Sequence, residues 1–154
     1  LRFHTVCCIL VMEVLSMSTA ILYYSYSGKT RALAEAEAEK RSARLFEVKE
    51  AHRYSPLGSV LCGCPAARMQ KIPALLSPVP DVRRYDKVVV MAPIWAGYPA
   101  PVFNAIISSL MRGTNVDILL VSASGDSSKS KGKVLEFIEQ YGLKVGAYHD
   151  IKAP

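Results

Sequence analysis

From Thr19 to Ile151 short apolar runs alternate with segments that suit helices, and few folds accommodate that alternation. When strands and helices take turns along a chain, the strands pair in parallel and the helices cover both faces of the sheet. The run Val88-Val-Val-Met-Ala92 is apolar at every position, as a strand is when both its faces are buried. Ala20–Tyr24, Leu45–Val48, Val116–Val121 and Val145–Ile151 supply four further strands. Lys29 to Arg41 is rich in Ala and Glu, good helix formers. After Pro101, suited to a first helical position, Val102, Phe103, Ile106, Ile107 and Leu110 recur at helical spacing. Lys129 to Tyr141 reads as a further helix, closed by Gly142. Between Ala51 and Val82 five prolines leave room for at most one short helix. The expected fold class is α/β, a three-layer, doubly wound, five-stranded parallel sheet.

The 154 residues suffice for one domain with its own core. Residues 1–16 stand apart, because Val6 to Leu15 is an apolar run beside Arg2, the outline of a signal peptide. Glu13 interrupts that run, and it is far shorter than the roughly 20 residues a membrane span needs. The reading preferred is an upstream extension before a domain over 17–154, with no membrane role. Cys7-Cys8 and Cys62-x-Cys64 match neither a disulfide framework nor a usual zinc spacing, so reduced thiols and a cytoplasmic setting are expected. The formal charge of +6 is scattered among acidic residues, so no nucleic-acid groove is expected, while an acidic protein partner fits.

Chemistry concentrates where the first strand ends, in Ser25-Tyr-Ser-Gly-Lys-Thr30. Hydroxyls and a glycine leading into a helix suit a phosphate, because successive backbone N–H groups and the positive end of the helix attract an anion. The triplet Gly28-Lys29-Thr30 also ends the nucleoside-triphosphate P-loop motif, but that motif needs a glycine at position 23, which is tyrosine. The dinucleotide fingerprint G-x-G-x-x-G is absent. A hydroxyl-rich turn that only caps a helix is the plain alternative. The second segment, Ala92-Pro-Ile-Trp-Ala-Gly-Tyr-Pro99, would leave the third strand beside the first loop. Trp95 and Tyr98, read as lying in a water-facing loop, suit stacking on a flat ring; packing against the loop after the fourth strand is their structural alternative. His4, His52 and His149 are isolated, and no paired carboxylates stand out for acid–base work.

With S-x-S-G-x-T after the first strand and P-I-W-A-G-Y-P-A-P-V after the third, the chain resembles the flavodoxin family. More narrowly it is similar to short flavodoxin-like FMN-binding proteins with a P-x-W-A-G-x-P-A-P segment before a helix. The likeness runs from Ala20 to about Ser124. It implies the strand order 2-1-3-4-5, with the cofactor FMN at the switch point between the first and third strands. Ser25, Tyr26, Ser27, Gly28, Lys29 and Thr30 would hold the phosphate, and Pro93, Ile94, Trp95, Ala96, Gly97 and Tyr98 would line the ring. Ser122, Ser124, Gly125 and Asp126 would form a third flavin loop, without the family's aromatic partner there.

The resemblance implies electron transfer to a redox partner protein. An FMN-dependent NAD(P)H or quinone reductase and a flavin-free interaction domain are the alternatives. Two departures stand out: the family is typically acidic where this chain is basic, and the final helix expected after the fifth strand is missing. One sheet face is therefore expected to be under-covered, and a homodimer is one way to shield it.

Overall fold

A computed structural model describes residues 18–154. The segment 1–16, with Cys7 and Cys8, and Met17 lie outside the described residues. The chain opens with β1 (Thr19–Tyr23), α1 (Lys29–Arg41) and β2 (Arg44–Glu47). α1 stops where Ser42 takes a left-handed backbone, φ 49°, and the chain turns directly into β2. There follow α2 (Pro56–Gly58), a π-helical turn (Ser59–Gly63) and α3 (Cys64–Arg68). β3 (Lys87–Trp95) and β4 (Tyr98–Pro99) form a hairpin, followed by α4 (Pro101–Ser109). β5 (Asn115–Ser122), α5 (Ser128–Gln140) and β6 (Lys144–Lys152) follow.

The sheet order is β2-β1-β3-β5-β6, all parallel, with β4 paired only to β3. This is the order 2-1-3-4-5 with one short hairpin strand added to the numbering. Register places Ala20 beside both Arg44 and Val88, and Val88 in turn beside Val116. The order reverses between β1 and β3, so the crossovers diverge there and leave a crevice at the carboxyl ends of those strands.

The continuous apolar run in β3 is explained by its two faces. Val88 and Val90 join Ile118 and Leu120 against Phe103, Ile106 and Ile107 of α4 and Val134 and Ile138 of α5. Val89 and Met91 join Ile21, Leu119 and Val121 on the other face, over Ala34 of α1. Each such fully buried side chain contributes about 1.5–3 kcal/mol, which makes this strand the most firmly specified element. Among the described residues the helix side chains packed on the second face come from α1, against two helices on the first.

Two local expectations are corrected. The stretch 51–82 holds a continuous helical run over 56–68, in which α2, the π-helical turn and α3 follow without a break, longer than the one short helix expected. Pro56 opens α2, Pro65 lies in the first turn of α3, and the Ser55 hydroxyl accepts the Gly58 N–H at 3.0 Å. The segment 92–99 is no free loop: β3 runs on through Trp95, and a two-residue turn returns it as β4.

Candidate functional site

Gly28 caps α1 with φ 93° and ψ −15°, a left-handed backbone that glycine adopts without penalty. The Ser25 hydroxyl oxygen accepts the N–H of Gly28 at 3.1 Å and of Arg31 at 3.2 Å, which fixes the bend. No acidic residue stands in the first turn of α1, and nothing lies within 4 Å of where a Cβ on Gly28 would sit. The amino end of the helix is therefore open to an anion.

Beside it lies a concavity of about 450 Å³, lined by Ser25, Tyr26, Ser27 and Gly28 from the loop and, among its charged residues, by Arg31, Lys49 and Arg53 together with Glu47 and Glu50. Lys29 and Thr30 do not line it; Lys29 is exposed and Thr30 is buried. Part of the positive charge is already engaged. Glu47 pairs with Arg31 and, at 3.3 Å, with Lys49. Partial burial pushes the Glu47 carboxyl up, but hydrogen bonds from those two cations outweigh it and hold the group below its ordinary value. Arg53 donates to the Tyr26 carbonyl oxygen at 2.6 Å and lies 5.0 Å above the Tyr26 ring. The Tyr26 hydroxyl donates to the Tyr54 carbonyl at 3.0 Å, so the segment after β2 clamps the loop.

Trp95 sits at the end of β3, paired with Tyr98 across the hairpin. Ala96 and Gly97 make the turn with φ 49° and 86°, both positive as a tight hairpin of native twist requires. The Trp95 ring is half-buried rather than free in water. It meets Tyr24, Tyr26 and Tyr54 edge to face, at centroid distances of 6.1, 5.4 and 5.8 Å. It also lies so near Gly63 that a Cβ there would stand 2.7 Å from the ring. The ring thus packs against the loop after β1, Tyr54 and the helical stretch before β3. Pro93 and Ile94 are half-buried, and Ala96 is exposed at the turn.

The loop after β5 is held by its own hydroxyls. The Ser122 hydroxyl oxygen accepts the Gly125 N–H at 2.9 Å and lies 3.3 Å from that of Ser124. Asp126 accepts the Ser128 N–H at 2.8 Å, and that bond holds its carboxyl below the ordinary value. Ser127 is buried and donates to Asp150 at 2.6 Å, which ties the start of α5 to β6.

Three segments thus leave the same edge of the sheet from neighbouring strands, in the order expected for the switch point. The first and second touch through Tyr26 and Trp95; the third emerges beside β3 because Val121 pairs with Pro93. Tyr24, Arg53, Tyr54, Gly63 and Ser127 were not singled out by sequence. Their roles depend on partners distant in the chain, for which a single sequence carries no local signal.

No family model matches the chain, and no curated protein matches it. Solved structures do. A flavoprotein from Lactobacillus acidophilus NCFM, in complex with FMN, superposes with a TM-score of 0.69 at 26% identity, covering 87% of this chain and 93% of that one. Proteins named as flavoproteins from Bacteroides eggerthii DSM 20697 and Bacteroides uniformis ATCC 8492 superpose with TM-scores of 0.73 and 0.72. They are 19% and 21% identical, covering 88% and 85% of this chain and 90% and 88% of theirs, and speak for the fold alone. Strand order, the placement of the three segments on one edge and the likeness to these structures show that the chain has a flavodoxin-like fold.

Proposed function

We propose that the chain binds FMN at the carboxyl edge of the sheet and serves as an electron-transfer protein. The observation that carries this reading is the Ser25–Thr30 loop: a left-handed glycine, a loop held by Ser25 and an open helix amino end with no acidic residue in its first turn. That donor set fits a phosphate monoester, whose charge the helix dipole and loop N–H groups stabilise. The FMN complex of the 26% identical flavoprotein supports the same ligand. In this reading Ser25 and Ser27 offer hydroxyls to the phosphate, Arg53 steadies the loop through Tyr26, and Pro93 to Tyr98 border the ring. When bound, the flavin supplies transfer of one or two electrons.

The carrier reading follows the resemblance, and experiment separates it from a reductase. His52 and His149 are exposed, and the buried Glu50 carboxylate is engaged by the Tyr24 hydroxyl at 2.9 Å. The test is titration of the purified chain with FMN, followed by flavin fluorescence. Saturable quenching at one FMN per chain, weakened at least tenfold by replacing Gly28 with Val, is expected. Unquenched flavin at every concentration would end the reading. Reduced protein that passes electrons to a one-electron acceptor without consuming NADPH supports the carrier; NADPH turnover with a quinone favours the reductase.

A further inference from the structure

A second concavity, about 550 Å³, lies outside the phosphate loop, between the helical stretch 56–68, the tip of the β3–β4 hairpin and α5. Its walls are apolar, with Val60, Met69 and Tyr98 among them, and Arg68 and Lys133 stand in its lining. Gln70 donates to the Lys133 carbonyl at 3.2 Å, so the helical stretch is tied to α5 and the groove is a fixed feature. The apolar surface continues outward. Leu57, Val60, Leu61 and Met69 are 68, 62, 63 and 67% exposed, an unusual concentration of large apolar side chains in water along so short a stretch.

Cations predominate in the segments that border this surface. No Asp or Glu occurs from 51 to 80, none from 87 to 116 and none from 127 to 135, whereas Arg53, Arg68, Lys71, Lys129, Lys131 and Lys133 all fall in those ranges. Among the described residues neither Arg68 nor Lys133 pairs with a carboxylate. An apolar centre edged by unpaired cations is the anatomy of a protein interface whose rim selects an acidic partner.

We propose that the groove between the 56–68 helical stretch and α5 docks an acidic protein segment that places an apolar side chain between Val60, Met69 and Tyr98. The other occupants fit less well. A second copy docked through the same face would bring two sets of Arg68 and Lys133 into one interface. A flat bilayer cannot follow a recess. The groove shares Ala96 and Tyr98, at the hairpin tip, with the FMN site proposed above, and binding is therefore compared with and without FMN.

The test uses the full chain, isotope-labelled, with and without added FMN. The probe is a synthetic peptide in which Glu and Asp flank Leu and Phe, beside a counterpart with Lys at every acidic position. Expected are saturable amide shifts at Val60, Met69, Tyr98 and Lys133 with the acidic peptide only, fading as salt rises from about 0.05 to about 0.5 M. R68E/K133E should bind at least about tenfold more weakly, while R44E/K144E, at the opposite edge of the sheet, should bind as the parent does. Val60→Ser should weaken binding with the charge intact. Equal binding of both peptides, shifts on another face, or no shifts would overturn the proposal. So would concentration-dependent dimerisation that shifts these same residues, or capture by phosphatidylserine vesicles where the acidic peptide fails.

Discussion

Ala96 holds a left-handed backbone, φ 49°, that its Cβ disfavours by roughly 1–2 kcal/mol. Ala96→Asn converts the turn to Asn-Gly, the pair this hairpin geometry prefers, and is expected to stabilise the protein by about 1 kcal/mol in urea unfolding. Gly63 presents the opposite balance. In a helical stretch, alanine is better than glycine by about 1 kcal/mol, but the added carbon would stand 2.7 Å from a Trp95 ring held by three tyrosines. Overpacking of that kind costs about 1–3 kcal/mol, so the clash outweighs the propensity. Gly63→Ala is expected to be destabilising and to shift the fluorescence of Trp95, the single tryptophan, to longer wavelength. An unchanged spectrum would show that the ring does not rest on Gly63. Neither effect is visible in the sequence, where nothing singles out Gly63 and Trp95 reads as a loop aromatic.

At the scale of elements, the end of β1 is tied to the segment after β2 by one buried hydrogen bond, from the Tyr24 hydroxyl to Glu50 at 2.9 Å. Burial, then the bond to Glu50 and its charge, push the Tyr24 phenol far above its ordinary value of 10.0. A raised value in the folded state means a contribution fully present below the unfolded value and lost as pH rises beyond it. Stability should therefore fall with pH above about 10, measured by denaturant midpoint. Tyr24→Phe should cost about 1–3 kcal/mol at neutral pH by leaving Glu50 without its donor, and should flatten, not abolish, that alkaline slope. A slope remains because the half-buried Tyr148 phenol is also raised. The elements themselves were largely legible. Strands buried on both faces announce themselves as unbroken apolar runs, and α1 and α4 begin at Lys29 and Pro101, the residues that sequence suggested. What was not legible was helix in a proline-rich stretch, since proline forbids helix interiors but not first turns.

At the scale of the whole molecule, the doubly wound sheet does for the site what no local signal could: it carries three separate segments to one edge. Sequence supplied the composition of those segments and, by resemblance, their assignment to phosphate and ring. It could not supply the aromatic wall around Trp95 or the clamp of Arg53 on Tyr26, because both arise from residues that only the fold brings together. If the phosphate loop is the anchor, binding must stabilise the entire fold, since a ligand that favours the native state adds RT ln(1 + [L]/Kd). At a hundredfold excess over Kd that is about 2.7 kcal/mol, or a rise in Tm of roughly 5–10 °C for a chain of this length. Riboflavin carries the same ring without the phosphate. At equal concentration it should raise Tm by much less, and inorganic phosphate should compete with FMN but not with riboflavin. Thermal unfolding with each ligand separates the two halves of the site: equal shifts from FMN and riboflavin would mean that the Ser25–Thr30 loop only caps its helix, whereas a shift that depends on the phosphate assigns the anchor to it.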